Sequence, residues 1–410
     1  MKTEWIKIAR KETAIKIRNT KIEGVRNKNI VSKGVRVYEN GCIGISGCIG
    51  DTPDETLLSQ AKENLLVHIE YPFELENSHK DHRDYRKEKI SPEALYDYTS
   101  AVLDILRSEY PQFDFSETSS IYDIHYTMQN TEGLDLVFQD SVYDFSLILK
   151  DKKTANLFDG FLTCTGRKMD IESFWKANHP LLKAYSTPVP LPDRDKLPVI
   201  FIGYDAFSGF LNRCLNGEAY GTGSSLFSGK LNQKLFDSRI NVFQYANPER
   251  TLSPFFDAEG VTLKNDAFPL ISEGVFKCAF TDKKTANQFN LPHTGAATGA
   301  YDGIPTLGGV HLNLQTDTAD LNAVLGGKPA VLVMISSGGD FTPDGDYAAP
   351  VQVSFLYENG IIAGKLPEFS VRSSLYKALG DDYLGTFDNT RFYIGDINNQ
   401  LFVAEMDIVR

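Results

Sequence analysis

The prediction of the fold begins with Ser336-Ser-Gly-Gly-Asp-Phe-Thr-Pro-Asp-Gly-Asp-Tyr347. This stretch is followed by the apolar run 348–357 and then by Glu358-Asn359-Gly360. Its glycines, its proline and its Asp-Gly pair fix unusual backbone angles, so a formed loop is predicted directly before an alternating strand. The Asn359-Gly360 pair favours a type I′ turn, because that turn needs positive φ at both central residues. We therefore predict that the loop feeds a β-hairpin.

The length of 410 residues exceeds what one ordinary core organises, which favours two domains. Three prolines within five residues, between Thr187 and Asp193, break both helix and strand patterns and mark the border. We predict an α+β protein with an N-terminal domain at 1–188, which mixes helices with antiparallel strands, and a β-rich C-terminal domain at 189–410.

Alternating and helical patterns succeed each other through the first domain. Strands are expected within 13–46, around a turn at Tyr38-Glu39-Asn40-Gly41, and an antiparallel meander within 113–149. Helices are expected at 51–66, from Ser91 onward and at 170–185, each with polar or acidic residues at its start. The charged segment between Glu70 and Pro92 is interpreted as a solvated connection.

Composition excludes several classes of function. The net charge is −12, although residues 1–36 hold 11 Lys and Arg against 3 Asp and Glu. We interpret these basic residues as the solvated outer face of a strand, and an acidic body argues against nucleic-acid binding. No apolar run approaches the roughly 20 residues that span a bilayer. Five scattered cysteines without a Cys-x-x-Cys pair, and no signal-peptide pattern, predict a cytoplasmic protein with reduced thiols.

Five other patterns carry possible chemistry, and each has a plainer interpretation. His79 and His82 lie in the charged connection without a third metal ligand. A zinc site rebuilt from His293 and His311 stays open, since one follows Pro292 and the other falls on an expected strand. Cys214 as a nucleophile, Ser208 as a hydrolase serine and residues 221–225 as a phosphate loop all lack the flanking residues that such chemistry requires.

Several ordered blocks resemble the TldD/PmbA proteins, once called modulators of DNA gyrase and regarded as a metallopeptidase family. The resemblance covers most of the chain and is strongest after residue 190. Its blocks are the hairpin at 37–41 with the helix after it, Ser224–Leu231, Phe256–Val261, the hairpin at 271–279, Asp282–Ala286, Thr294–Ala296 and Ser337–Tyr347.

One departure from the family pattern decides what the resemblance implies. The TldD branch carries His-Glu-x-x-x-His on a helix, where two imidazoles ligate zinc and the glutamate polarises water. The corresponding segment here, Tyr204–Cys214, contains neither histidine nor glutamate, and no cysteine follows Cys278. The chain thus resembles the PmbA branch, also called TldE, which lacks the motif and pairs with a TldD subunit. The resemblance implies no catalytic residue or zinc on this chain and zinc on a TldD-like partner.

By that resemblance, the complex would cleave unfolded peptides inside a cavity that this chain helps to shape, in a dimer engaged in peptide maturation. Whether this chain is itself an enzyme stays open. The residues that we expect to bind peptide lie in the opening loop: Gly338, Gly339, Asp340, Thr342, Asp344 and Asp346. Closure of the turn by these same side chains is an equal alternative. The rival function is a peptide-binding or scaffold protein that associates with a second copy of itself and has no proteolytic activity.

Overall fold

The computed structural model describes residues 1–87, 90–203, 205–389, 392 and 400–410. Its first half is dominated by long strands. In chain order its elements are β1 (Lys2–Arg18), β2 (Lys21–Glu39), β3 (Cys42–Ile49), α1 (Asp54–Glu63), β4 (Ile69–Glu70), β5 (Lys80–Asp84), α2 (Pro92–Glu109), β6 (Phe113–Asn130), β7 (Asp135–Asp151), β8 (Gly160–Gly166) and α3 (Ile171–Tyr185), with a 3-10 turn at Asn64–Val67 after α1.

The second half consists mainly of shorter strands. Its elements are β9 (Lys196–Ile202), α4 (Asp205–Leu215), α5 (Gly217–Gly221), β10 (Val242–Tyr245), α6 (Pro248–Thr251), β11 (Ala267–Ser272), β12 (Val275–Phe276), α7 (Lys283–Phe289), β13 (Ala297–Thr298), β14 (Thr306–Leu307), β15 (His311–Leu314), α8 (Leu321–Leu325), β16 (Ala330–Ile335), β17 (Asp340–Phe341), β18 (Asp346–Val351), β19 (Val353–Glu358), β20 (Ile361–Lys365), β21 (Phe369–Ser374), α9 (Leu375–Ala378), β22 (Tyr383–Asp388) and β23 (Gln400–Val409).

The strands form two large sheets. An 8-stranded sheet runs β4-β3-β2-β1-β6-β7-β5, with β8 also paired to β7, and only β5 is parallel to its neighbour. A 9-stranded sheet runs β17-β18-β21-β23-β9-β16-β19-β20, with β22 on β23. A 4-stranded sheet and a 2-stranded sheet complete the second half. The fold is therefore α+β with predominantly antiparallel pairing, as predicted.

Both predicted type I′ hairpins are confirmed by their backbone angles. Asn359 and Gly360 have φ of 52° and 82° between β19 and β20, and Asn40 and Gly41 have φ of 52° and 75° between β2 and β3. The expected helices are also present. The antiparallel pairing predicted within 113–149 is found between two long strands, β6 and β7, and β8 adds a further antiparallel strand beyond the predicted range. Ser91 and Asp170 accept a backbone hydrogen bond at the starts of α2 and α3, which satisfies donors that the first helical turn leaves unpaired.

The charged segments depart from the interpretation of the sequence at two points. The expected solvated connection contains β5, whose five residues pair with β7 and whose His82 lies 3.0 Å from an Asp135 carboxylate oxygen. The basic residues at 1–36 form a solvated outer face except Arg36, which is 0% exposed and pairs with Glu4, itself 1% exposed. In β5 the side chains stay exposed or half-buried, so only the loop conformation was wrongly predicted there. Both departures depend on partners that the local sequence does not show, β7 for β5 and the Ala258 and Gly303 carbonyls for Arg36.

The two large sheets share a hydrophobic core around α3. Phe174 of α3 packs edge-on against Phe145 of β7 with ring centroids 5.4 Å apart, and Tyr185 packs against Phe355 of β19 at 4.9 Å. All strands of the first sheet come from residues 2–166 and those of the second from residues 196–409. The border at 188/189 stays a prediction. Within the described residues, no helix combines the length and the apolar character that crossing a membrane requires.

Candidate functional site

The loop expected to bind peptide folds back on β18 and depends on two glycines. Gly338 has φ of 84°, where side chains with a Cβ are strained. A Cβ on Gly339 would lie 2.2 Å from the Cβ of Ala349, which is too close for two carbon atoms that are not bonded to each other. Glycine at these two positions lets the loop approach the strand closely.

The structure brings the six expected binding residues together on one exposed surface. Their names are Gly338, Gly339, Asp340, Thr342, Asp344 and Asp346. Two of these side chains form hydrogen bonds that close the turn. Asp340 Oδ1 accepts from the Phe341 N–H at 2.7 Å, and the Thr342 hydroxyl accepts from the Asp346 N–H at 3.1 Å. The Phe341 N–H, and next the Arg213 guanidinium, lower the pKa of Asp340. The carboxylates remain at the surface as acceptors.

The other side of the loop is anchored on α4 by aromatic rings. Phe341 stacks on Phe210 with centroids 4.3 Å apart and an interplanar angle of 11°, and it meets Phe207 edge-on at 5.2 Å. Tyr347 packs against both Phe207 and Phe341. Arg213, near the end of α4, donates to Asp340 at 3.1 Å. The helix therefore positions the loop through a packed aromatic cluster and one ion pair at the surface.

The described side chains of α4, from Phe207 onward, do not fit the zinc ion that the TldD pattern implies. From Phe207 to Leu215 the single group with strong metal affinity is the Cys214 thiol, which is 2% exposed. Burial raises the pKa of that thiol to about 12, so the thiol is also inert as a nucleophile at neutral pH. Tyr204, the first residue of the segment compared with the family motif, lies outside the described residues.

The two late histidines do not assemble a metal site with the neighbours that the structure describes. His293 Nε2 lies 3.5 Å from a Glu259 carboxylate oxygen, and His311 Nε2 lies 3.3 Å from the Ser253 hydroxyl. Among the described residues no group of three or more His, Cys, Asp or Glu side chains is placed to hold an ion. Burial lowers the pKa of His311, which favours a neutral imidazole there.

The glycine-rich loop after α5 uses its hydroxyls on the backbone. Thr222 Oγ1 donates to the Glu218 carbonyl at 2.8 Å, Ser224 Oγ donates to the Ala219 carbonyl at 3.2 Å and Ser225 Oγ donates to the Cys214 carbonyl at 2.5 Å. These bonds terminate α4 and α5. The backbone N–H groups of residues 222–225 also donate to carbonyls of α5, so the donors with which a phosphate loop holds its ligand are engaged here.

A buried charged cluster joins the two halves of the chain, and the sequence did not predict it. Arg36 of β2 donates to Glu4 of β1 at 3.0 Å, to the Ala258 carbonyl at 2.6 Å and to the Gly303 carbonyl at 3.1 Å. Tyr38 also donates to Glu4, at 3.2 Å. Burial raises the pKa of Glu4 although Arg36 opposes that effect. A side chain of the first sheet thus holds two backbone carbonyls of the second half.

Glu259 continues this cluster towards the surface. One of its carboxylate oxygens accepts from the Tyr71 hydroxyl at 2.7 Å, and the other accepts from the Lys283 backbone N–H at 3.1 Å and faces His293. Burial by itself would raise the pKa of Glu259. Hydrogen bonds from His293 and Tyr71, with the Lys283 charge, outweigh burial and lower the pKa. Glu259 is therefore an ionised, almost fully buried carboxylate.

Asp257 lines a cavity of about 220 Å³ whose wall comes almost entirely from the second half of the chain. Gln244 of β10 and His311 of β15 contribute to this wall, and Tyr126 of β6 reaches it from the first half. Burial, and next the Glu259 charge, raise the pKa of Asp257 to about 7, although three backbone N–H groups donate to its carboxylate. A carboxyl that titrates near neutrality can accept or release a proton within this cavity.

One signal in the sequence did point to this region. The segment Phe256–Val261 is among the blocks that resemble the family, but its acids were given no role because nothing local distinguishes them from turn residues. Tyr71 and Glu259 are 188 residues apart in the chain, and Arg36 and Ala258 are 222 apart. Spacing along the sequence carries no information about such contacts.

Comparison with solved structures identifies the same fold in three other proteins, each matched over 100% of this chain. TldE from Thermococcus kodakarensis has a TM-score of 0.82 at 17% identity and is covered over 97% of its length. A candidate modulator of a DNA gyrase from Thermotoga maritima has a TM-score of 0.78 at 17% identity, with 96% covered. Another from Bacteroides thetaiotaomicron has 0.78 at 15% identity, with 94% covered. At these identities the likeness establishes the fold alone.

Sequence comparison gives the family directly. No curated protein matches the chain significantly. The family model for the PmbA/TldA metallopeptidase C-terminal domain matches residues 195–410, which is more than half of the sequence. That range contains α4, the exposed loop, Asp257 and Glu259. The chain belongs to the PmbA/TldD metallopeptidase family.

Proposed function

We propose that this chain is the PmbA/TldE-like subunit of a TldD-type metallopeptidase complex in the cytoplasm. In this role it shapes a cavity in which unfolded peptides are cleaved, and the zinc ion and the hydrolytic step belong to a TldD-like partner. Family membership supports the assignment to a complex of this kind. The segment 204–215 contains no histidine or glutamate, which supports assigning the catalytic metal to the other subunit.

The observation that carries the proposal is the packing of α4. Two imidazoles one helical turn apart would need to face a common open space to bind zinc and leave a position for water. Here Phe207 and Phe210, three residues apart, fill the inward side of the helix and are 1% and 6% exposed. Phe341 closes over them. This packing supports a role for the helix in holding the loop at 338–346.

The loop at 338–346 supplies the surface that we assign to peptide. Its side chains and glycine backbone offer acceptors and donors to an extended main chain, in the manner of strand addition. The aromatic anchor on α4 keeps the loop in place, which limits the conformational entropy that binding would cost. This chain's contribution is thus to orient the peptide, while the bond is cleaved by groups of the partner.

Reconstitution with the TldD-like subunit tests this assignment. The chain is mixed with a purified subunit that carries His-Glu-x-x-x-His, and hydrolysis of a casein-like substrate is followed with zinc content. We expect a stable complex whose activity is lost when this chain is omitted, with zinc remaining on the partner. A homodimer that never recruits the partner would instead favour the scaffold function, and stoichiometric zinc on this chain would overturn the assignment of the metal.

The loop is tested separately within the same complex. Asp344→Asn/Asp346→Asn removes two exposed carboxylates and is expected to raise KM severalfold while complex formation and zinc content stay unchanged. The matched control is Asp97→Asn/Asp104→Asn on α2, which changes the net charge equally at exposed positions. Equal effects of the two pairs would remove the loop from the peptide site without affecting the proposed subunit role.

A further inference from the structure

Among the residues that the structure describes, none pairs with the outer edge of β2 over ten consecutive residues. β1 pairs with β2 along its whole length, from Lys2 opposite Tyr38 to Arg18 opposite Lys21. On the other side, β3 covers β2 only from Ser32 to Glu39. Residues 21–30 therefore have a strand on one side and solvent on the other, and nine of them are exposed. Such an edge presents free backbone donors and acceptors.

The direction of these groups follows from one hydrogen bond. The Gly50 N–H donates to the Val31 carbonyl at 2.8 Å, on the side of β3, so the backbone of Val31 points to the outer edge. Backbone groups of a strand alternate between its two sides, and the pairing with β1 is regular from residue 24 to residue 38. Val25, Asn27 and Asn29 therefore present both N–H and C=O outward.

The side chains beside this edge are strongly basic. Residues 10–30 contain 7 Lys and Arg against 2 Glu, within a chain whose net charge is −12. Arg26 and Lys28 are two residues apart and so lie on one face of the sheet. Arg26 pairs with Glu12 at 2.8 Å, whereas Lys28 forms no ion pair with any residue that the structure describes. Val25, on the opposite face, is 54% exposed.

Three other strands at sheet ends are short or covered. β17 and β4 have two residues each, and β20 is flanked by residues 187–189, whose backbone exchanges hydrogen bonds with Lys365 at 2.7 and 2.9 Å. Lysines on an edge ordinarily prevent aggregation between like chains. The same charges attract an acidic strand, because opposite charges on neighbouring strands stabilise the pair while like charges repel.

We propose that residues 21–30 of β2 bind an extended acidic segment of another polypeptide, which joins the 8-stranded sheet as a further strand. Val25, Asn27 and Asn29 supply the main-chain hydrogen bonds. Acidic residues at alternate positions of the segment face Arg26 and Lys28, and apolar residues between them face Val25. This site is separate from the loop at 338–346 and is independent of the proposed peptidase role.

Charge and chemistry favour an acidic polypeptide segment at this edge over a second copy of this chain or a single-stranded nucleic acid. In a second copy of this chain, β2 would bring its own Arg26 and Lys28 to the same face, where they would repel their equivalents. A single-stranded nucleic acid would exploit the positive charge but leave the backbone groups unpaired, and its binding relies on aromatic residues on which bases stack. Residues 21–30 contain no aromatic residue.

Fluorescence anisotropy with a labelled short peptide that alternates glutamate with valine and threonine tests the proposal. We expect binding at low ionic strength that weakens as salt is added, and about tenfold weaker binding of a lysine-containing counterpart. Arg26→Glu/Lys28→Glu should weaken binding by at least about tenfold. The control Lys62→Glu/Lys284→Glu makes the same change in net charge at exposed positions far along the chain and should bind as the wild type does.

Backbone pairing is tested independently of charge. Asn29→Pro removes one outward N–H, and since that N–H does not pair with β1 the fold should be kept. A peptide methylated at alternate nitrogens on one edge should lose binding to the wild type as well. Binding that survives both changes, equal loss in both charge-reversal pairs, or tighter binding of a single-stranded oligonucleotide at the same site would each overturn the proposal. Self-association that Arg26→Glu/Lys28→Glu abolishes would also overturn it.

Discussion

Arg36→Met tests whether the buried ion pair fastens the two halves of the chain together. The substitution keeps an apolar side chain of similar length but removes hydrogen bonds to Glu4, to the Ala258 carbonyl and to the Gly303 carbonyl. Removal of one partner from a buried pair typically destabilises by about 3–5 kcal/mol, because the other charge is left uncompensated. At roughly 2.1 cal/mol/K per residue, the unfolding entropy of 410 residues is about 0.9 kcal/mol/K. A loss of about 4 kcal/mol then lowers Tm by about 5 °C.

Differential scanning calorimetry at neutral pH measures this shift. Addition of Glu4→Gln to the variant should restore part of the lost stability, because it removes the carboxylate left without a counter-charge. The free energies of unfolding of the two single variants and the double variant should show a coupling of about 1–3 kcal/mol. The deficit of Arg36→Met should also shrink at acidic pH, where Glu4 is protonated. Lys62→Met at the surface is the control and should shift Tm by less than about 1 °C. A shift of Arg36→Met no larger than the control, or strictly additive effects with Glu4→Gln, would refute the reasoning.

Three further predictions concern the cavity, the loop anchor and the thiols. Burial raises the pKa of Asp257 from 3.8 to about 7, so the folded state binds this proton more tightly than the unfolded state does. The free energy of unfolding should therefore fall by up to about 4 kcal/mol as pH rises from about 4 through 7. Asp257→Asn should remove that fall when Tm is compared across this range, and parallel pH curves would contradict it. Phe210→Ala should cost about 3–5 kcal/mol and expose the loop to proteolysis, with Leu231→Ala at a 48% exposed position as the control. A thiol reagent should modify two cysteines quickly without denaturant and three only on unfolding, and a third fast thiol would contradict the structure. The fast pair is Cys42 and Cys48, and the slow group is Cys164, Cys214 and Cys278.

The elements that could be predicted are those whose signal is local. A type I′ turn needs two residues that tolerate positive φ, and Asn359-Gly360 meets that need whatever surrounds it. A helix start needs an acceptor for unpaired N–H groups, which Ser91 provides within three residues. β5 escaped prediction because Lys80–Asp84 contains no apolar residue. Its strand conformation follows from pairing with β7, about 55 residues further along the chain.

The candidate sites divide in the same way. The loop at 338–346 and the helix α4, which lacks the zinc motif, were found from residue types alone. The structure adds that Phe341 stacks on Phe210 and so holds the loop against the helix. The buried cluster of Arg36, Glu4 and Glu259 could not be found, because a charged residue on an alternating strand is normally solvated. Its burial depends on the pairing of Arg36 with Glu4 and on hydrogen-bond partners more than 180 residues away.

The sequence by itself determined the family, the α+β character and the absence of the His-Glu-x-x-x-His motif from this chain, because turn chemistry and residue identity are properties of short segments. Only the tertiary structure decided which charges are buried, which strand edge is free and where a carboxyl titrates near neutrality. Those properties depend on solvent exclusion and on contacts between distant segments. Asp257 is an ordinary turn residue in the sequence and an acid with a pKa of about 7 in the folded chain.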